Sequence, residues 1–403
     1  MVVPVAARSV AAVAGGVLVL AVWASIIGTV IVPRPVSNWL TRWVDRAVGK
    51  IFYIATSGID EYRRRDRVLA TRAATTLIAQ LFTWLGLSLV GFALLLWPFA
   101  GDGGIATAFK VAGSSMFTLG FAVSPGALPL AIVFVDAFTG LVIITLQIAY
   151  LPALYGAFNR RETEVALLNA RAGVPSWGPE LLSRTYYALG SGTSTLDTLP
   201  DLYAQWERWA ADVAESHTTY LPLVNFRSPR PLSSWVTALL AVLDSAAMFL
   251  SLSPEAAPVV PARLCLRSGF ICFTQIARAM GFDVPDEPDP NGQLELTYEE
   301  FLDAVARLRK VGFPIEREGD LPTAWSNFVG WRLNYEQAAY EVAAALDVVP
   351  AMWSGPRRHP GPSVPPIRPA LGRPPKEPAK KAGQAANAGP AATAGVSPPV
   401  TLD

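Results

Sequence analysis

Asp136 is the residue whose setting most demands a chemical reason, because it stands about eight residues into an apolar run, Leu128 to Tyr155. An ionised side chain at membrane depth is costly unless it faces protein interior or water. Thr139, Ile143 and Gln147 follow at helical spacing, so one stripe of the run carries polar groups. Asp136 either faces water and attracts cations, or holds a neighbouring helix or loop through Ser114, Ser115 or Lys110. Within the same run Gly140 would let a helix bend, Pro152 would kink its inner end, and Gly156 would loosen the joint that follows.

Other chemistry-bearing residues offer less. Glu215, Ser216 and His217 adjoin one another but read as a helix end and its cap. Asp244, on an otherwise apolar helix, is expected to pair with Arg227 or Arg230. Cys265 and Cys272 share one helical face and read as reduced core residues. His217 and His359 are too far apart to suggest a metal site. With no nucleophile–base pair, paired carboxylates or phosphate-binding glycine loop, no enzymatic activity and no cofactor are expected. A net charge of +1 gives no reason to expect a nucleic-acid partner.

The elements that must position these residues are apolar and long. Of 403 residues 52% are hydrophobic and 16% charged, against about 25% charged in ordinary soluble domains. Val10–Val32, Ala73–Pro98 and Leu128–Tyr155 each exceed the roughly 20 residues that cross a bilayer. The first is too long, with too few basic residues before it, for a cleaved signal peptide. Arg34–Arg72 is basic and contains an amphipathic pattern around Trp39, Trp43, Val44, Val48 and Ile51. That pattern suits a helix at headgroup level or one packed on a soluble domain. Positive charge in this stretch and at Arg160–Arg161 puts both on the cytoplasmic side of the plasma membrane, with the N-terminus outside.

The expected organisation is a membrane helix in 1–33, a cytoplasmic basic segment in 34–72, a membrane module in 73–161, a cytoplasmic helical domain in 162–349, and a disordered Pro/Ala/Gly-rich tail in 350–403. Helices are expected in the domain at Pro179–Leu189, Thr198–His217, Leu232–Phe249, Ala262–Met280, Thr297–Lys310 and Leu321–Leu346.

Between the second and third runs, Ile105–Met116 is too short to span but long enough to dip in and out of the bilayer. It is followed by Thr118-Leu119-Gly120-Phe121-Ala122, with Ser115 three residues before the threonine. Here the chain resembles the pore module of potassium channels, whose filter reads Thr-Val-Gly-Tyr-Gly. The resemblance covers Ala73 to about Arg161. More loosely, it extends to bacterial relatives with an extra N-terminal span and a helical cytoplasmic tail. It implies an all-α membrane protein with three transmembrane helices, a re-entrant pore helix, a filter-like loop and an all-α cytoplasmic domain. It also implies a homotetramer in the lipid bilayer that passes potassium or another monovalent cation through rings of backbone carbonyls. Asp136, Thr139, Ile143 and Gln147 would then line the cavity below the filter. The chain departs from the pattern at Ala122, where the family has glycine, and at Val123, where it has aspartate. A left-handed Ala122 would cost roughly 1–2 kcal/mol, which puts strict potassium selectivity in doubt.

Overall fold

The computed structural model describes residues 5–32, 39–186, 195–289, 292–359 and 361–367. The expectations for Arg34 and for the tail from residue 368 onward lie outside them. Among the described residues the fold is all-α, with one isolated parallel bridge between Ala351 and Val364.

The apolar half is built from α1 (Val5–Ile26), α4 (Arg72–Leu96) and α6 (Ala127–Ala172). Small residues bring the first two together. A Cβ on Gly15 would lie 2.4 Å from the Gly91 carbonyl oxygen, a backbone approach that only glycine allows. Trp84 Nε1 donates to Ser25 Oγ at 3.0 Å, and Trp23 Nε1 donates to Thr139 Oγ1 at 3.2 Å, so α1 is bonded to both other helices. The short α5 (Gly104–Met116) packs between α4 and α6.

Two helices precede α4. On α2 (Trp39–Thr56), Leu40, Val44 and Val48 are buried while Trp39, Trp43, Ile51 and Ile54 are exposed. α3 (Tyr62–Leu69) is tied to the helical domain. Arg65 Nε meets Asp347 Oδ2 at 2.7 Å, and Asp66 accepts from Arg227 at 2.5 Å.

At 1.5 Å per residue the 46 residues of α6 reach about 69 Å, more than twice a bilayer's hydrocarbon core. Its last turns enter the helical domain, where Val165, Leu168 and Ala172 join the core. That domain contains α7 (Gly178–Tyr186), α8 (Leu199–Thr219), α9 (Trp235–Leu252), α10 (Val259–Met280), α11 (Tyr298–Lys310), α12 (Leu321–Arg332) and α13 (Glu336–Leu346). Thr297 and Glu300 cap α11 reciprocally.

Among the described residues four helical stretches are long and apolar enough to cross a membrane: Ala6–Ile31, Tyr62–Phe99, Ala127–Ala172 and Trp235–Leu252. The last is apolar all round because protein surrounds it, with 94% of the stretch buried against 28–44% for the others.

Three expectations need correcting. The single helix expected over Leu321–Leu346 is two, because the chain breaks at Leu333–Tyr335. Asn334 Nδ2 there donates to the Gly330 and Trp331 carbonyls at 2.9 and 3.1 Å, satisfying groups the helix end leaves open. Asp244 bonds neither Arg227 nor Arg230 but Arg332 Nη1 and, at 2.7 Å, Tyr335 Oη. The packed chain also continues past Pro350. Trp353 is buried, Arg357 donates to the Val348 and Val349 carbonyls at 2.8 Å, and the compact unit ends at Ile367. A Pro- and Gly-rich stretch reads as disordered by composition, yet here one guanidinium gathers its carbonyls.

Candidate functional site

The site is built on the C-terminal end of α5. Helix ends leave carbonyls without partners, and a left-handed residue lets following amides turn back to them. Thr118 takes that role with φ +53°, and Gly120 follows with φ +71°. Thr118 N–H donates to the Ser115 carbonyl at 2.9 Å. Those of Leu119 and Gly120 donate to the Ser114 carbonyl at 2.8 and 3.3 Å. The Ala122 N–H reaches Ser114 Oγ at 3.0 Å. Ser114 is fully buried and organises the loop.

The expected strain at Ala122 is therefore absent, since it does not adopt positive φ; Thr118 does instead. The hydroxyl of Ser114 holds Ala122 in place without the glycine geometry. By sequence Ser114 stands out only as a possible partner for Asp136. Its signal was a small hydroxyl residue in the last turn of a short helix.

These bonds fix the direction of the carbonyls. In a planar trans peptide each carbonyl points opposite to the next N–H. The Phe117, Thr118, Leu119 and Phe121 carbonyls therefore point away from α5, because the following amides all aim back at it. The C-terminal end of α5 adds about half a negative charge beside them. Phe117, Leu119, Phe121 and Val123 stand exposed, the last three by 63%, 67% and 76%.

The other singled-out residues lie behind this loop. Asp136 and Thr139 are fully buried, and Ile143 and Gln147 nearly so. They share the face of α6 that packs inside the chain. The opposite face leaves Phe134, Phe138, Leu141 and Ile148 exposed. Neither Ser114, Ser115 nor Lys110 bonds Asp136, whose two carboxyl oxygens have no hydrogen-bond partner among the described residues. Gly140 faces the end of α5, where an added Cβ would lie 2.2 Å from the Met116 carbonyl oxygen. Pro152, exposed, and Gly156, half-buried, lie within the continuous α6.

Arg161, by sequence only a charge that sets topology, has a structural place as well. It is fully buried and donates to His217 Nε2 at 2.8 Å and to the Leu223 and Phe226 carbonyls at 3.0 and 2.7 Å. With Nε2 accepting, His217 Nδ1 carries the proton and donates to Ser216 Oγ at 3.0 Å. Burial, reinforced by the Arg161 cation, holds His217 well below the usual imidazole range. Below pH 6.5 or so the unfolded chain gains a proton that the fold refuses. Stability is thus expected to fall by about 1.4 kcal/mol per pH unit as pH drops below that point. Denaturant titrations between pH 7 and 5 should show this slope, and His217→Gln should remove it.

Elsewhere the domain offers packing rather than exposed reactive groups. Cys265 and Cys272 are free and buried, and burial pushes both thiols up. Among the described residues, no group of three or more His, Cys, Asp and Glu side chains is placed to hold a metal ion.

No protein-family model matches the chain, and no curated protein or solved structure is significantly similar to it. Its architecture is that of a multi-pass membrane protein: several long apolar helices joined to a helical domain.

Proposed function

We propose that this protein is a passive, potassium-channel-like cation channel, formed by four copies of the chain around one axis. The observation that carries the reading is the direction of the Phe117, Thr118, Leu119 and Phe121 carbonyls, away from the helix that holds their amides. Four such loops would offer rings of oxygens to replace an ion's hydration shell. Their exposed Leu119, Phe121 and Val123 side chains would pack between copies. In this reading α1, α4 and α6 span the bilayer, α5 is re-entrant, and α9 stays within a cytoplasmic domain. The N-terminus is outside, by the positive-inside bias. With alanine at 122 and no aspartate after it, discrimination between potassium and sodium is weak.

A second reading, a non-conducting membrane scaffold on the same framework, has one observation in its favour. The Asp136, Thr139, Ile143 and Gln147 face is buried within the chain, so it offers no lining to a shared cavity. The channel reading then gives Asp136 no place on the ion path, because a carboxylate buried there without a partner among the described residues is too costly to serve as an attracting charge.

Potassium and sodium flux from liposomes holding the full chain tests both readings. The channel passes both ions. Gly120→Val, which forces a β-branched residue to φ +71°, abolishes flux, and Asp136→Asn, an isosteric change at a buried position off the ion path, leaves it within about twofold. Flux at the level of empty liposomes supports the scaffold, and equal flux from the parent and Gly120→Val removes the pore from this loop.

A further inference from the structure

We propose that the protein binds the phosphate head group of an anionic phospholipid in a cavity between α2, the start of α4 and the helical domain. The inference rests on the chain's membrane residence and not on ion conduction. The cavity, of about 470 Å³, is lined by Arg42, Arg46, Lys50, Arg72 and Arg358 against a single carboxylate, Asp45. Asp45 is already engaged, meeting Arg72 Nη2 at 3.6 Å and Asn225 Nδ2 at 3.5 Å. Arg42, Arg46, Lys50 and Arg358 form no ion pair with other described residues. So many like charges around one space repel one another, and a bound anion relieves that repulsion.

A second, independent observation lies deeper. Gln80 also lines the cavity and is 97% buried, yet its Nε2 has no hydrogen-bond partner among the described residues. A buried amide donor without a partner costs roughly 1–3 kcal/mol, and a phosphate oxygen is a suitable acceptor. Arg72 Nε is likewise buried and without a partner among the described residues.

The surroundings select a lipid over a soluble anion. Trp39, Trp43, Ile51 and Ile54 form an exposed stripe on α2, the same helix that supplies three of the cations. Such a stripe suits the boundary between headgroups and acyl chains. Leu221, Met280 and Phe282 complete the wall with apolar surface. The head group thus enters a basic pocket while the tails stay beside the tryptophans, a recurring mode of lipid recognition at membrane interfaces.

Titration of the full chain in nonionic detergent tests the site, with dioctanoyl phosphatidylglycerol, dioctanoyl phosphatidylcholine and glycerol phosphate as probes. Saturable binding of about one phosphatidylglycerol per chain, at least tenfold tighter than phosphatidylcholine or glycerol phosphate, is the expected result. Arg46→Gln with Lys50→Gln, both exposed and so harmless to folding, should weaken it at least tenfold. Arg63→Gln with Arg67→Gln removes the same charge from exposed positions outside the cavity and should leave affinity within about twofold. Gln80→Leu should weaken binding and Asp45→Asn should tighten it. Equal binding of the two lipids, or equal losses from the two charge pairs, would overturn the proposal. Glycerol phosphate binding as tightly as the lipid would overturn the choice of a lipid.

Discussion

Arg332→Ala should destabilise the helical domain by about 3–5 kcal/mol, the usual cost of breaking a buried ion pair from one side. Arg332 is fully buried and its guanidinium is the hub of the domain's polar core. It pairs with Asp244, meets Glu336 at 3.0 Å, and donates to Tyr340 Oη at 2.9 Å and the Trp353 carbonyl at 2.7 Å. Removing it strands Asp244, which is itself buried in the middle of the apolar α9. Burial already raises the Asp244 carboxyl above its ordinary range despite the opposing Arg332 cation. Without that cation it must take up a proton or unfold the site. Lysine cannot replace the planar fork, so Arg332→Lys should recover little. The diagnostic comparison is a double variant, Asp244→Leu with Arg332→Met. It removes the stranded Asp244 charge and should melt above Arg332→Met alone; a midpoint no higher than that of Arg332→Met would show that stranding Asp244 is not the source of the loss.

Gly140→Val should abolish flux, and with it separate α5 from α6. The Met116 carbonyl lies where the new Cβ would sit, 2.2 Å away, and it belongs to backbone that cannot rotate aside. Overpacking of this kind costs about 1–3 kcal/mol, but its functional effect is larger, because α5 carries the loop. The protein should still fold and insert, with a melting midpoint lowered by roughly 2–4 °C for each kcal/mol lost. Normal flux from Gly140→Val would show that conduction does not depend on this contact. Gly156→Ala, whose added Cβ comes no nearer than 3.9 Å to the Arg160 guanidinium, is the tolerant control.

The contrast between these positions shows what was legible beforehand. Long apolar runs announce α1, α4 and α6 because crossing a bilayer demands length. The short α5 was visible for the converse reason, being apolar but too brief, and its expected end at Met116 is where the helix ends. The need for left-handed backbone after α5 was legible too, and Gly120 meets it with φ +71°; what was not legible is that the other such residue is Thr118 and not Ala122. Thr118 does so because Ser114 offers both a carbonyl and a hydroxyl to the returning amides. Pairings across long separations were invisible. Asp244 and Arg332 stand 88 residues apart, and Arg65 and Asp347 282 apart, with nothing in composition to choose among 33 basic residues. Arg161 misled for a related reason, since a basic residue beyond a membrane helix has the same appearance whether solvated or buried.

The arrangement of loops around a common axis is most directly tested by cross-linking Phe121→Cys in the full chain. Phe121 is 67% exposed, and the native Cys265 and Cys272 are buried and unreactive, so a short bismaleimide reports on this position alone. A ladder of linked species ending at four chains is the expected result. Complete labelling by a monofunctional maleimide, with no linked species from the bismaleimide, would contradict a shared axis.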